Sequence, residues 1–162
     1  MADVGRRRAP RTFDSARTAL PTLVDAVKAL AHPARLRMLA MLRGGDLCVC
    51  QMTAALELAA STVSSHLSDL RRAGLVTERK DGKWVHYHLV DTGPLADLVN
   101  RTLRLAAGDD RLRQDARVVE DLRRVPLETL CRGGFDLQAS GVLPAPTQTR
   151  SRRNRTATRR SS

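Results

Sequence analysis

Three observations predict a mainly α-helical fold with one small antiparallel β-hairpin. Apolar residues recur at helical spacing through most of residues 20–130, and two short helical stretches are separated by a tight turn. One Asp-Gly pair, Asp81-Gly82, is flanked by stretches that alternate with period two. With 162 residues the chain has room for one domain around one core, plus an extra helix and loose ends, and no second catalytic domain is expected.

In chain order, Leu20, Leu23, Val24, Val27 and Leu30 fall on one face of a first helix that ends at His32-Pro33, where the proline disfavours helix at the preceding residue. Pro33 suits the first position of a second helix with Leu36, Leu39 and Leu42 in its stripe, stopped by Gly44-Gly45. Leu47–Leu56 reads as a short helix with a cysteine-bearing start, Glu57–Ala60 as a turn, and Ser61–Ala73 as a helix with Val63, Leu67 and Leu70 inward. Two short helices about a tight turn, the second polar on its outer face, form a helix-turn-helix. Leu75–Lys80 and Lys83–Val90 around Asp81-Gly82 then read as a hairpin, or wing. Pro94–Ala106 returns to helical spacing and lacks a wide polar face, which fits packing against a second copy of the chain. Asp109–Arg124 reads as a further helix, and Pro126–Leu130 as a last turn that brings Cys131 to its end. The expected organisation is a disordered basic segment over 1–14, a homodimeric winged helix-turn-helix domain over 15–107, a helical extension carrying Cys131 over 108–134, and a disordered basic tail over 135–162.

The net charge of +11 points toward nucleic acid, but residues 144–162 contribute +6 and residues 1–14 contribute +2, leaving only +3 between 15 and 143. The aromatics are Phe13, Trp84, Tyr87 and Phe135, too few for a stacking platform, so double-stranded DNA is the expected nucleic acid. No apolar run reaches the roughly 18 residues of a membrane span, and Arg6-Arg7-Arg8 is not followed by a signal-peptide apolar stretch; the expected location is the cytoplasm, with no membrane partner. Three cysteines in a reducing compartment read as free thiols, ligands or sensors rather than as a disulfide framework. The chain carries no phosphate-binding glycine loop, zinc-protease helix motif or nucleophile elbow, so no enzyme is expected.

Four segments together resemble the ArsR/SmtB winged-helix repressors: Lys28-Ala29-Leu30-Ala31-His32-Pro33-Ala34-Arg35-Leu36-Arg37, Leu47-Cys48-Val49-Cys50, Ser61-Thr62-Val63-Ser64-Ser65-His66-Leu67, and the wing from Ala73-Gly74-Leu75-Val76 to Tyr87. The resemblance implies a homodimer pairing its first and fifth helices, operator binding without metal, and release when metal binds. It further implies that Cys48 and Cys50 capture As(III) or Sb(III) as inducer, with no constitutive cofactor. Trivalent arsenic suits such a site because it is soft, prefers thiolates and forms three sulfur bonds in a pyramid, whereas zinc wants four ligands in a tetrahedron. Some relatives carry a further cysteine where Thr53 stands, which leaves Cys131 as the candidate third ligand, or else as a buried or idle thiol. A two-thiol site would still suit methylated trivalent arsenic. The absence of cysteine from residues 1–47 argues against the cadmium and lead sensors, and the absence of histidine after His88 argues against the zinc site of other relatives.

On a regular helix, side chains two apart point about 200° apart, so joint capture by Cys48 and Cys50 is expected to unwind the first turn of their helix and shift the recognition helix it supports. Cys50, near a helix start, is placed to react as the thiolate. For DNA, Ser61, Thr62, Ser64, Ser65 and His66 are the outward candidates at the front of the recognition helix, with His66 either touching a base or packing. Arg71, Arg72, Arg79, Lys80 and Lys83 are the candidate phosphate contacts. Many relatives have serine at Ala59 and arginine at Ser65; losing the first removes a helix cap of about 1 kcal/mol, for which Ser61 or the turn backbone can substitute. Two other readings are a repressor that senses reactive sulfur or oxidants through a Cys50–Cys131 disulfide, and a metal-indifferent regulator whose cysteines merely pack.

Overall fold

The computed structural model describes residues 18–132, so the expectations for 1–14 and 135–162 lie outside the described residues. Helix α1 spans Leu20–Leu30 and α2 spans Pro33–Leu42; between them His32 is the N-cap, its Nδ1 accepting from the Ala34 backbone N–H at 3.1 Å. Arg35 donates back to the carbonyls of Ala29 and Lys28, satisfying groups that the end of α1 leaves open. A two-residue strand β1, Leu47–Cys48, then leads into α3, Val49–Leu56. Glu57 takes a left-handed conformation (φ +56°) to end α3, and α4 follows over Ala60–Arg72, so the helix-turn-helix turn occupies three residues.

Strands β2 (Val76–Asp81) and β3 (Trp84–Leu89) form the hairpin, and β1 joins it to give an antiparallel sheet in the order β1-β3-β2. The register pairs Asp81 with Trp84, so the turn residues are Gly82 and Lys83, with Gly82 at φ +57°, rather than Asp81-Gly82. The third strand was not expected. Leu47 and Cys48 pair with Tyr87 and His86, which removes Cys48 from the helix to which the sequence assigns it. Ala59 is the N-cap of α4 without a side-chain cap, and Ser61, already inside the helix, does not replace it.

Helix α5 covers Gly93–Leu105, α6 covers Asp110–Leu122 and α7 covers Leu127–Leu130. The core is aliphatic: Met38 and Leu39 of α2, Met52 of α3, Leu67 and Leu70 of α4, Leu103 of α5 and Leu122 of α6 are fully buried together. Helix α6 packs on α2 and α3. Its apolar stripe of Val118, Val119 and Leu122 includes Asp115, 2% exposed, which accepts two hydrogen bonds from Arg37 of α2 at 2.7 and 2.8 Å. At the far end Arg123 donates to the carbonyls of Gly45 and Asp46 at 3.0 and 3.2 Å. Gly45 serves that contact twice, through its φ of +122° and because a Cβ there would lie 3.3 Å from the guanidinium.

Candidate metalloid site and nucleic-acid interface

Cys48 is the residue at which β1 becomes α3, and its backbone is extended (φ −89°, ψ 166°). Cys50 lies in the first turn of α3. Because one cysteine is on extended backbone and the other on helix, the 200° divergence of a regular helix does not arise, and the expected unwinding is unnecessary. Past α6 the chain turns at Pro126, and α7 packs on α3, delivering Cys131 to the same place. The sulfurs of Cys48, Cys50 and Cys131 all lie within 4.8 Å of one another. Thiolates about 2.3 Å from a shared ion stand about 4 Å apart, so Cys48 has only about 1 Å to close, while Cys50 and Cys131, bonded to each other, must part.

The free-thiol expectation is corrected for two of the three. Cys50 and Cys131 are joined as a disulfide across 81 residues of sequence, their Cα atoms 5.4 Å apart, while Cys48 is a free, buried thiol. The pairing follows from the fold, since α7 lands its C-cap residue directly over the first turn of α3.

Beside the thiols, Gln51 is 6% exposed, and its Oε1 accepts a 3.0 Å hydrogen bond from the Cys48 backbone N–H. The Cys48 side chain faces the Gln51 backbone N–H in return, which closes a capping box without a full side-chain cap from sulfur. Sequence reasoning missed Gln51, although a polar N-cap followed three residues later by Gln is the signature of such a box. It also missed the Arg37–Asp115 pair, for which the signal was a carboxylate within an apolar helical stripe.

On α4, Ser61, Thr62, Ser64 and Ser65 are all exposed. His66 lies apart from them: half-buried, its ring sits 4.4 Å from that of His32 at 47°. Burial, then the positive charge of His32 and Arg35, holds the His66 pKa below the ordinary histidine value, while Asp69 opposes the shift. The exposed cations Arg71, Arg79 and Lys83 each face a carboxylate, that of Glu78, of Asp46 at 3.5 Å and of Glu128 at 3.8 Å respectively, and Arg72 faces Asp69 at 3.4 Å. Lys80 is exposed beside them on β2. These pairs are solvent-facing and weak, so each cation stays available to another anion.

The bacterial regulatory protein arsR family matches residues 32–78. The arsenic resistance transcriptional regulator ArsR1 of Pseudomonas putida is 49% identical over 63 residues, which is 38% of this chain and 49% of that protein. The arsenical resistance operon repressor of Escherichia coli K12 is 43% identical over 67 residues, 41% of this chain and 57% of that protein. The chain thus spans about half the length of these curated relatives. Among solved structures, HlyU from Vibrio cholerae N16961 is similar with a TM-score of 0.50 and 36% identity, over 54% of this chain and 94% of that one.

Proposed function

This chain belongs to the arsR family of bacterial regulatory proteins, transcriptional regulators rather than enzymes, and from that premise we propose that it is an arsenic-responsive repressor. It pairs as a homodimer, binds double-stranded operator DNA in the cytoplasm, and is released when As(III) or Sb(III) binds Cys48, Cys50 and Cys131. The observation that carries this reading is the convergence of three sulfurs from β1, α3 and α7 within 4.8 Å. Reduced, the three thiols displace the hydroxyls of arsenous acid, giving one tris-thiolate and three waters. The Cys50–Cys131 bond must open first; a low-molecular-weight thiol reduces it by exchange and leaves as its own disulfide.

Dimer formation is supported by the apolar surface that α1 and α5 leave uncovered, with Leu20 at 72% and Leu105 at 91% exposure, beside half-exposed Leu23, Val24 and Val27. DNA contact is supported by the open polar front of α4, Ser61, Thr62, Ser64 and Ser65, and by Arg71, Arg79, Lys80 and Lys83. His66 packs in preference to touching a base. The test is a gel shift on the DNA upstream of the chain's own gene, titrated with arsenite: release is expected, and an unchanged shift contradicts the reading.

One observation favours a second reading. The Cys50–Cys131 bond suits a repressor that responds to polysulfide or hydroperoxide by oxidation of these two thiols. Release by polysulfide but not by arsenite, with the disulfide detected by mass spectrometry, selects this alternative.

A further inference from the structure

We propose that Gln51 is the positioning residue that makes Cys48 a third arsenic ligand, an inference that rests on the arsenic reading above. Cys48 is the last residue of β1, where it pairs with His86, and the N-cap of α3, so the turn from strand to helix falls on it. The hydrogen bond that ties its backbone to α3 is the one donated by its N–H to the Gln51 Oε1, at 3.0 Å. Gln51 and Asp115 are the buried polar or charged side chains among the described residues, and Asp115 is held by Arg37. A buried amide without a partner is unfavourable, so the Gln51 side chain is committed to Cys48 and cannot relax into solvent. It fixes the turn of the chain at Cys48, and thereby the direction in which this sulfur faces those of Cys50 and Cys131.

Gln51 itself touches no arsenic; it acts through Cys48. Without it, Cys50 and Cys131 still meet through α3 and α7, but the Cys48 Sγ loses its fixed place and arsenic keeps an oxygen in the third position. Residues that orient a metal ligand in this way change affinity by about 10–100-fold when removed.

The test uses the reduced full-length protein loaded with arsenite and counts arsenic–sulfur bonds by X-ray absorption, alongside the arsenite affinity. Native protein is expected to give three sulfurs. Gln51→Leu removes the acceptor and Gln51→Asn shortens its reach; each is expected to give two sulfurs and an affinity loss of about 10-fold or more. Gln51→Glu keeps an oxygen at the same place and is expected to restore the third sulfur, which general destabilisation would not do. If Gln51→Leu does not fold, the Asn and Glu variants carry the comparison. Three sulfurs and native affinity in folded Gln51→Asn would overturn the assignment of Gln51, as would a Glu variant no better than Asn. Native protein that binds no arsenic would instead overturn the function on which the inference rests.

Discussion

Cys48 combines three constraints in one residue: it pairs with the wing through β1, starts α3, and presents a buried sulfur to Cys50 and Cys131. Cys48→Ser and Cys50→Ser are each expected to retain operator binding yet fail to respond to arsenite in a gel shift; release of either variant at native arsenite concentrations contradicts the assignment. His66 supports a prediction of a different kind. Its pKa is held below the ordinary value, chiefly by burial, so just below pH 6.5 the unfolded chain binds more protons than the folded one. The stability contributed by the neutral ring is therefore complete above that pH and is lost as the pH falls. The groups facing it are His32 at the N-cap of α2, Arg35 within α2 and Asp69 one turn along α4. Between pH 7 and pH 5 the Tm of the native chain should fall more steeply than that of His66→Asn, and parallel slopes would show that the ring contributes nothing to the pH dependence.

At the scale of elements, the delivery of Cys131 depends on α6 being clamped to α2. Arg37→Met removes both hydrogen bonds to the buried Asp115 carboxylate and leaves it only the 3.7 Å ion pair with half-exposed Arg111, and is expected to destabilise the fold by about 3 kcal/mol in denaturant melts. A loss below about 1 kcal/mol would mean that α6 is held by its apolar stripe alone. Thr53 lies one turn after Cys50 on α3, and its hydroxyl is buried without a hydrogen-bond partner. Cys131→Ser should weaken the arsenite response without changing DNA affinity, and adding Thr53→Cys to that variant should restore it by supplying the third sulfur from α3. A dose curve unmoved by Cys131→Ser would exclude Cys131 as a ligand. The helices, the hairpin and the helix-turn-helix were legible because each repeats a periodicity over several residues or carries a Pro, Gly or Asp-Gly signal. Strand β1 was not, since two residues have no period, and its apolar Leu47 reads equally well as the start of a helix. The cysteines were legible as chemistry, and Cys131 as the candidate third ligand, but what brings it to the others was not, because that depends on the packing of α6 on α2, where Arg37 and Asp115 pair from 78 residues apart. The Cys50–Cys131 disulfide belongs to the rival oxidant-sensing reading, and the sequence alone does not decide between it and free thiols.

For the whole molecule, the thiol cluster borders both parts proposed to face DNA, because α3 packs on α4 while β1 pairs with β3 of the wing. A ligand that moves Cys48 thus bears on the recognition helix and the wing together. Lys80→Ala and Lys83→Ala should each lower operator affinity and reduce the slope of log affinity against log salt by about 0.9; an unchanged slope removes the wing from the contact surface. Coupling between two such sites is typically about 1–3 kcal/mol, or roughly 5–150-fold in affinity. The most direct measurement is the anisotropy of labelled operator DNA titrated with phosphine-reduced protein, with and without saturating arsenite. The account predicts an affinity lowered within about that 5–150-fold range for the native chain and no change for Cys48→Ser. Equal affinity of the arsenic-bound and arsenic-free native protein for the same duplex would contradict it.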